Sequence, residues 1–300
     1  VTIKIIFCIM TFWKKIQEII FSNRDLSLMG IVNVGTTIIS ALFWLYIAAI
    51  VDVDEYGEIS FLIAIASITA TIASLGALNT LIIYTAKKIK IQSSIFFIAL
   101  VSSVIASTIV FFIFSSFATS LYVVGYVIFN LITSEIIGRK LYGTFSKFVF
   151  IQRVLSIIIS LALYFIMGTD GIVLGIALSF FIYSRKLFVI LKQTKISVSS
   201  LKPYRGFMIN NYAYDISKSL VIYLDKLIIL PLFGLATLGQ YHLAFQFLAI
   251  GIILPGTVFQ YIVPQEASGI LNKKLKMMGI LLSVGIAGLT IICVPTFLTM

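Results

Sequence analysis

"IAAIVDVDEYGEISFLI", residues 47–63, joins two apolar runs through a turn carrying Asp52, Asp54, Glu55 and Glu58. Four acids on so short a connection mark it as exposed to water. The runs on either side stay apolar for about 20 residues, the length that crosses the hydrocarbon core as a helix. The stretch therefore reads as the tip of a membrane hairpin, and the pattern recurs along the chain. Comparable runs lie near 27–50, 59–84, 93–116, 118–137, 149–167, 170–191, 207–231, 238–263 and 277–298. An all-α integral membrane protein with about nine transmembrane helices is the expected fold.

Composition points the same way. Of 300 residues, 60% are hydrophobic and 11% charged, with a mean hydropathy of +1.13. A soluble domain carries about twice that charge. A net charge of +11 would suit nucleic acid if the basic residues formed a patch among aromatics. They sit instead in short clusters between apolar runs, so no nucleic-acid partner is expected. Cys8 and Cys293 are too few and too far apart for a disulfide framework. With His242 as the single histidine, a histidine-based metal centre or triad is excluded, and no metal, cofactor or enzymatic role is expected.

The basic clusters test the span assignment. Lys4, Lys14, Lys15 and Arg24 precede the first span, and Lys87, Lys88 and Lys90 follow the second. Arg139, Lys140, Lys147 and Arg153 follow the fourth, and six cations from Arg185 to Arg205 lie between the sixth and seventh. Lys273, Lys274 and Lys276 follow the eighth. All fall on one side, while the opposite connections hold only acids. The positive-inside rule makes that side, and the N-terminus, cytoplasmic, in a multi-pass protein of the cell membrane. The opening "VTIKIIFCIMTFW" is too short to span and lacks a signal-peptide pattern. It reads as an interfacial segment or as a misassigned start upstream of Met10, within a cytoplasmic N-terminal segment 1–26.

The hairpin tip has a counterpart 182 residues on. "ILPLFGLATLGQYHLAF" (229–245) lies ungapped over 47–63: an apolar helix, a short outer turn ending at Gly57 or Gly239, and a second apolar helix. Six spans separate the copies, so they run parallel. The expected organisation is a six-helix bundle over 27–196 and a partial second bundle, three helices, over 207–300. Parallel six-helix halves are a transporter architecture with the path between them. The second half stops after three helices, which reads as a truncated product.

The residues 27–88, from "SLMGIVNVGTTIISALFW" through the acidic turn ending in Tyr56–Gly57 to "SLGALNTLI" and its basic end, resemble the opening of polysaccharide biosynthesis (O-antigen-type) flippases. These belong to the multidrug/oligosaccharidyl-lipid/polysaccharide exporter superfamily. "YLDKLIILPLFGLATLGQYHLAFQF" (223–247) resembles that family's seventh helix and the turn after it. The resemblance implies translocation of a polyprenyl phosphate- or pyrophosphate-linked oligosaccharide to the outer leaflet, alongside other glycan-assembly membrane proteins. It also implies more helices than this chain carries.

Charges inside spans locate the expected path. A charge at mid-bilayer costs about 2.5–3.5 kcal/mol on insertion scales unless it meets a partner or a water-filled space. Asn211, Asp215, Lys218, Ile222 and Asp225 share one helix face, with Lys226 one position round. The stripe either faces a cavity, where Lys218 and Lys226 would neutralise a phosphate, or contains an Asp215–Lys218 pair that merely makes the span insertable. Asn33 leads a milder stripe with Thr37 and Ser40. Arg153 either snorkels to the headgroups or meets the substrate's phosphate at the inner mouth. The row Ser60, Ser67, Thr71, Ser74 reads as close helix packing, and Glu135–Arg139 as a structural i,i+4 pair. His242 reads as a satisfied polar residue one turn from Gln246. Pro231, Pro255 and Pro295 are placed to kink helices. Two other functions stay open. An ion-coupled drug exporter would want an acid in the first span, where this chain has Asn33. A membrane glycosyltransferase would use "DVD" (52–54), in a loop too short to build an active site.

Overall fold

The computed structural model describes residues 24–192 and 195–270, together with 273, 275–277, 279–281 and 283–285. Among them it is all-helical, with no strand. The segment 1–23 and most of the ninth expected span, Pro295 included, lie outside the described residues. The helices are α1 (Arg24–Ile50), α2 (Val53–Ala73), α3 (Ala77–Ala86), α4 (Gln92–Phe114) and α5 (Phe117–Gly138). There follow α6 (Tyr142–Met167), α7 (Thr169–Ser179), α8 (Ser184–Leu191) and α9 (Arg205–Ala267). Short 3₁₀ helices, Phe180–Tyr183 and Val198–Tyr204, precede α8 and α9.

Among the described residues, seven helices are long and apolar enough to cross a membrane. The expected nine is not that count, for two reasons. The last of the seven, Val198–Gln246, takes in the expected seventh span and part of the eighth, because α9 continues helically across them. The ninth span falls mostly on undescribed residues. The expected second span is interrupted between α2 and α3, where Leu75 and Gly76 both take left-handed backbone.

A straight helix of 63 residues would be about 95 Å long, three hydrocarbon thicknesses. α9 instead breaks at Gly234 (φ 82°, ψ 176°), a conformation essentially reserved for glycine. The two arms fold back on one another. The Lys226 ammonium lies 4.7 Å from the Phe245 ring, residues that a straight helix would hold about 28 Å apart. The turn expected to end at Gly239 is therefore at Gly234, three residues after Pro231. Gly239 is helical and serves a different purpose.

That purpose is a close crossing. α9 packs chiefly on α2. A Cβ added at Gly239 would stand 2.5 Å from the Val53 carbonyl oxygen, and one at Gly57 would run into the carbonyl of Leu235. Only hydrogen on both Cα atoms lets the backbones approach so closely.

The remaining helices form a bundle around α5, the most enclosed element. Val123, Val127, Leu131 and Ile132 along it are fully buried. α6 packs on α7 and α1, and α5 on α4, α3 and α7. Of the row expected to pack, Ser60, Ser67 and Ser74 are completely buried and Thr71 is partly exposed. Ser67 meets the Tyr122 hydroxyl of α5 at 3.3 Å, and Ser74 donates to the Ala70 carbonyl at 2.8 Å. The perimeter is the reverse of a soluble protein's: Val221, Phe112 and Ile166 are each more than three-quarters exposed. Such a surface is at home only in hydrocarbon.

The acidic turn has a plain structural role. Asp52 stands at the N-cap position of α2 in extended backbone, without a side-chain capping hydrogen bond, and Asp54 and Glu55 occupy its first turn. Carboxylates there oppose the positive end of the helix dipole.

Candidate functional site

Where the α9 hairpin meets the bundle, a cleft of about 580 Å³ remains open. α1 contributes Asn33, α3 Asn79, and α5 Tyr126, Asn130, Thr133 and Ser134. The first arm of α9 contributes Asp215, Lys218 and Ile222, and the second arm Phe245, Thr257 and Gln260. Asn33 lies nine residues into α1 and Asp215 ten into α9, so each stands about 15 Å from the basic end of its helix. The cleft therefore lies well inside the helices, away from their ends.

Its polar groups hold the two sides together. The Asn33 side-chain amide donates to Thr257 Oγ1 at 2.9 Å and to Gln260 Oε1 at 3.4 Å. The Asn79 amide donates to Asp215 Oδ1 at 3.0 Å, while Asp215 Oδ2 is buried without a hydrogen-bond partner. α1 thus ties to the second arm and α3 to the first. Asp215 and Lys218 are the charged residues on the lining. They are not within ion-pair distance of each other, so the intrahelical pair allowed by the spacing is not formed. Lys218 is exposed to the cleft, and its ammonium is available to an anion.

The expected site therefore divides. Asn33, Asp215 and Lys218 come together; Asp225, Lys226 and Arg153 do not join them on the lining. Asp225 accepts from the Lys226 backbone N–H at 2.8 Å and from the Tyr241 hydroxyl, which fastens the two arms of α9. Lys226 is 3% exposed, its ammonium 5.3 Å from the Tyr223 ring as well as close to Phe245. Phe245 lines the cleft, so its ring stands between that ammonium and the open space. Of the shared helix face, Asp215, Lys218 and Ile222 line the cleft, whereas Asn211 donates to the Phe207 carbonyl and Asp225 lies where the two arms close on each other.

Arg153 sits deeper along its helix than expected. α6 begins at Tyr142, not near 149, which places Arg153 about 16 Å along the helix, too deep to snorkel. Its Nε is buried without a partner, and Tyr122, Tyr223 and Tyr126 are within its electrostatic reach.

The α5 residues Asn130, Thr133 and Ser134 were not singled out from sequence. Their i, i+3, i+4 spacing on a span that is otherwise apolar was the available signal. Glu135 does pair with Arg139 as the spacing indicates. His242 meets Gln246 at 3.2 Å and packs edge-on to Trp44 at 5.2 Å, while its Nδ1 has no partner. Among the described residues no group of His, Cys, Asp and Glu could hold a metal ion.

In comparison with known proteins, no family model, no curated protein and no solved structure matches the chain.

Proposed function

We propose that this chain is a multi-pass transporter of the cell membrane, N-terminus cytoplasmic, built as a six-helix bundle plus the opening of a parallel second one. In this reading the cleft is its path and the cargo is a polyprenyl phosphate- or pyrophosphate-linked oligosaccharide. The observation that carries it is a polar cleft well inside an apolar perimeter, with one exposed lysine and several amides on its walls. A phosphate would find its counter-charge at Lys218. Hydroxyl-rich sugar would find Asn33, Asn79, Asn130 and Gln260, and a polyprenyl tail would stay in lipid.

The contacts support the repeat. Gly57 meets Leu235 and Gly239, and Gly239 meets Val53 and Gly57. Each contact becomes the other when 182 residues are added to one partner and subtracted from the other. Asn33 and Asp215 are likewise 182 apart, and each ties its own helix to the opposite hairpin. Reciprocal contacts of this kind are what a pseudo-two-fold axis between parallel halves produces.

One observation favours a second reading. Asp215, the counterpart of Asn33, supplies in the second half the acid that the first span lacks, and its Oδ2 is unpartnered. That arrangement suits a cation-coupled exporter. Transport in cells separates the two: Lys218→Ala should abolish glycan export and spare cation-driven drug efflux, whereas Asp215→Asn should do the reverse. Accessibility tests the path itself. With Cys8 and Cys293 replaced by serine, cysteines at 215 and 218 should react with a membrane-impermeant thiol reagent and a cysteine at 226 should not. Equal protection of all three would end the transport reading.

A further inference from the structure

Apart from the cleft, a shallower groove of about 330 Å³ runs where the Val198–Tyr204 turn and the start of α9 lie against the α2–α3 break and α4. Leu75, Ile98, Val198, Leu201, Met208 and Ile209 make it apolar. Lys202 and Arg205 also line it, and both are exposed. No acid lines the groove, and neither cation is in an ion pair among the described residues. The sequence around them is one-sided: between Asp170 and Asp215 there are six cations and no carboxylate.

Val198 and Ile209 are 58% and 61% exposed, yet they sit within one helical turn of two charges. That is the chemistry of the boundary between headgroup and tail. Apolar wall below and paired cations at its rim match one molecule: a lipid whose phosphate is not offset by its own ammonium. We propose that this groove binds a single anionic phospholipid, an acyl chain along Leu75, Ile98 and Met208 and the phosphate between Lys202 and Arg205. A free phosphate would meet the cations but gain nothing from the wall. A zwitterionic lipid would fill the wall while its ammonium opposed the cations. The proposal does not depend on what the cleft carries.

The site has a mechanical setting. The Tyr84 ring of α3 packs tilted against Tyr204 at 4.6 Å and edge-on to Phe207 at 5.3 Å, so the lipid lies in the seam joining the bundle to the α9 hairpin.

Native mass spectrometry of the 300-residue chain released from micelles tests this, with phosphatidylglycerol and phosphatidylcholine of identical acyl chains. The unaltered chain should retain one phosphatidylglycerol about thirty-fold more tightly than phosphatidylcholine, as two surface cations imply. Lys202→Ala with Arg205→Ala should erase that preference, and the exchange Lys202→Arg with Arg205→Lys should restore it. Inorganic phosphate at the same concentration should not displace the lipid. Equal retention of the two lipids by the unaltered chain overturns the proposal without any variant. Survival of the preference in the alanine pair, or displacement by phosphate alone, overturns it as well.

Discussion

The crossing of Gly57 and Gly239 can be tested by adding one carbon to each. An alanine Cβ at 239 would stand 2.5 Å from the Val53 carbonyl oxygen. Carbon–oxygen contacts settle near 3.3–3.6 Å, so the hairpins must part by about 1 Å along a packed face. Overpacking of that kind costs about 1–3 kcal/mol. Alanine also favours a helix over glycine by about 0.8–1.0 kcal/mol, which would mask part of the loss. Gly30 and Gly35 on α1 remove that ambiguity, since a Cβ at either meets nothing within 4 Å. Gly30→Ala and Gly35→Ala should be neutral or stabilising, and the difference between the pairs isolates the crossing at about 1–3 kcal/mol. The assay is the unfolding midpoint of each purified variant in one detergent. Because both carbons press on one contact, the double variant should lose less than the two single losses added. If Gly57→Ala and Gly239→Ala behave like the α1 controls, or if their losses add, the hairpins do not cross where the structure puts them.

Three further outcomes follow from geometry. Gly234→Ala should destabilise by about 1–3 kcal/mol, because φ 82° with ψ 176° excludes a side chain; Gly256→Ala, in open space farther along α9, should not. The Glu135–Arg139 pair should respond asymmetrically: its carboxylate side chain is 6% exposed and its guanidinium 43%, so Arg139→Ala strands a buried charge while Glu135→Gln leaves an arginine that reaches water. Midpoints for the two should differ in that order. Changing both Asp52 and Asp54 to asparagine should cost at most about 1 kcal/mol, since the Asp52 side chain makes no capping hydrogen bond and only the dipole contribution is lost; a collapse in stability would mean these acids do more than begin α2.

The helical class and most span positions were legible because hydrocarbon imposes a length and a composition that no other setting imposes. The hairpin at 47–63 could be read from four acids alone. What sequence did not settle were places where the backbone departs from helix for local reasons. The α2–α3 break at Leu75–Gly76 carries no polar interruption, and the start of α6 at Tyr142 lies in a stretch that reads as loop. Asp225 and Lys226 were misplaced for a related reason. Periodicity tells which residues share a face but not how far along the helix that face stays open, and here closure of the arms decides it. The α5 amides and hydroxyls, Asn130 to Ser134, were outnumbered by their apolar neighbours. Depth was the missing coordinate in each case.

A backbone contact as short as that between Gly57 and Gly239 permits rotation far more readily than separation, which makes it a fulcrum. It lies close to the acidic end of the molecule, four residues beyond Val53 and five beyond Gly234. Asn79 and its partner Asp215 lie some twenty residues further, a lever of about 30 Å. A rocking of about 10° around the glycines would therefore move that pair by about 5 Å while the acidic ends scarcely shift. The hydrogen bonds that bear this load are the two at the far end of the lever, from Asn79 to Asp215 and from Asn33 to Thr257. Unlatching them opens the basic side widely for almost no displacement at the other.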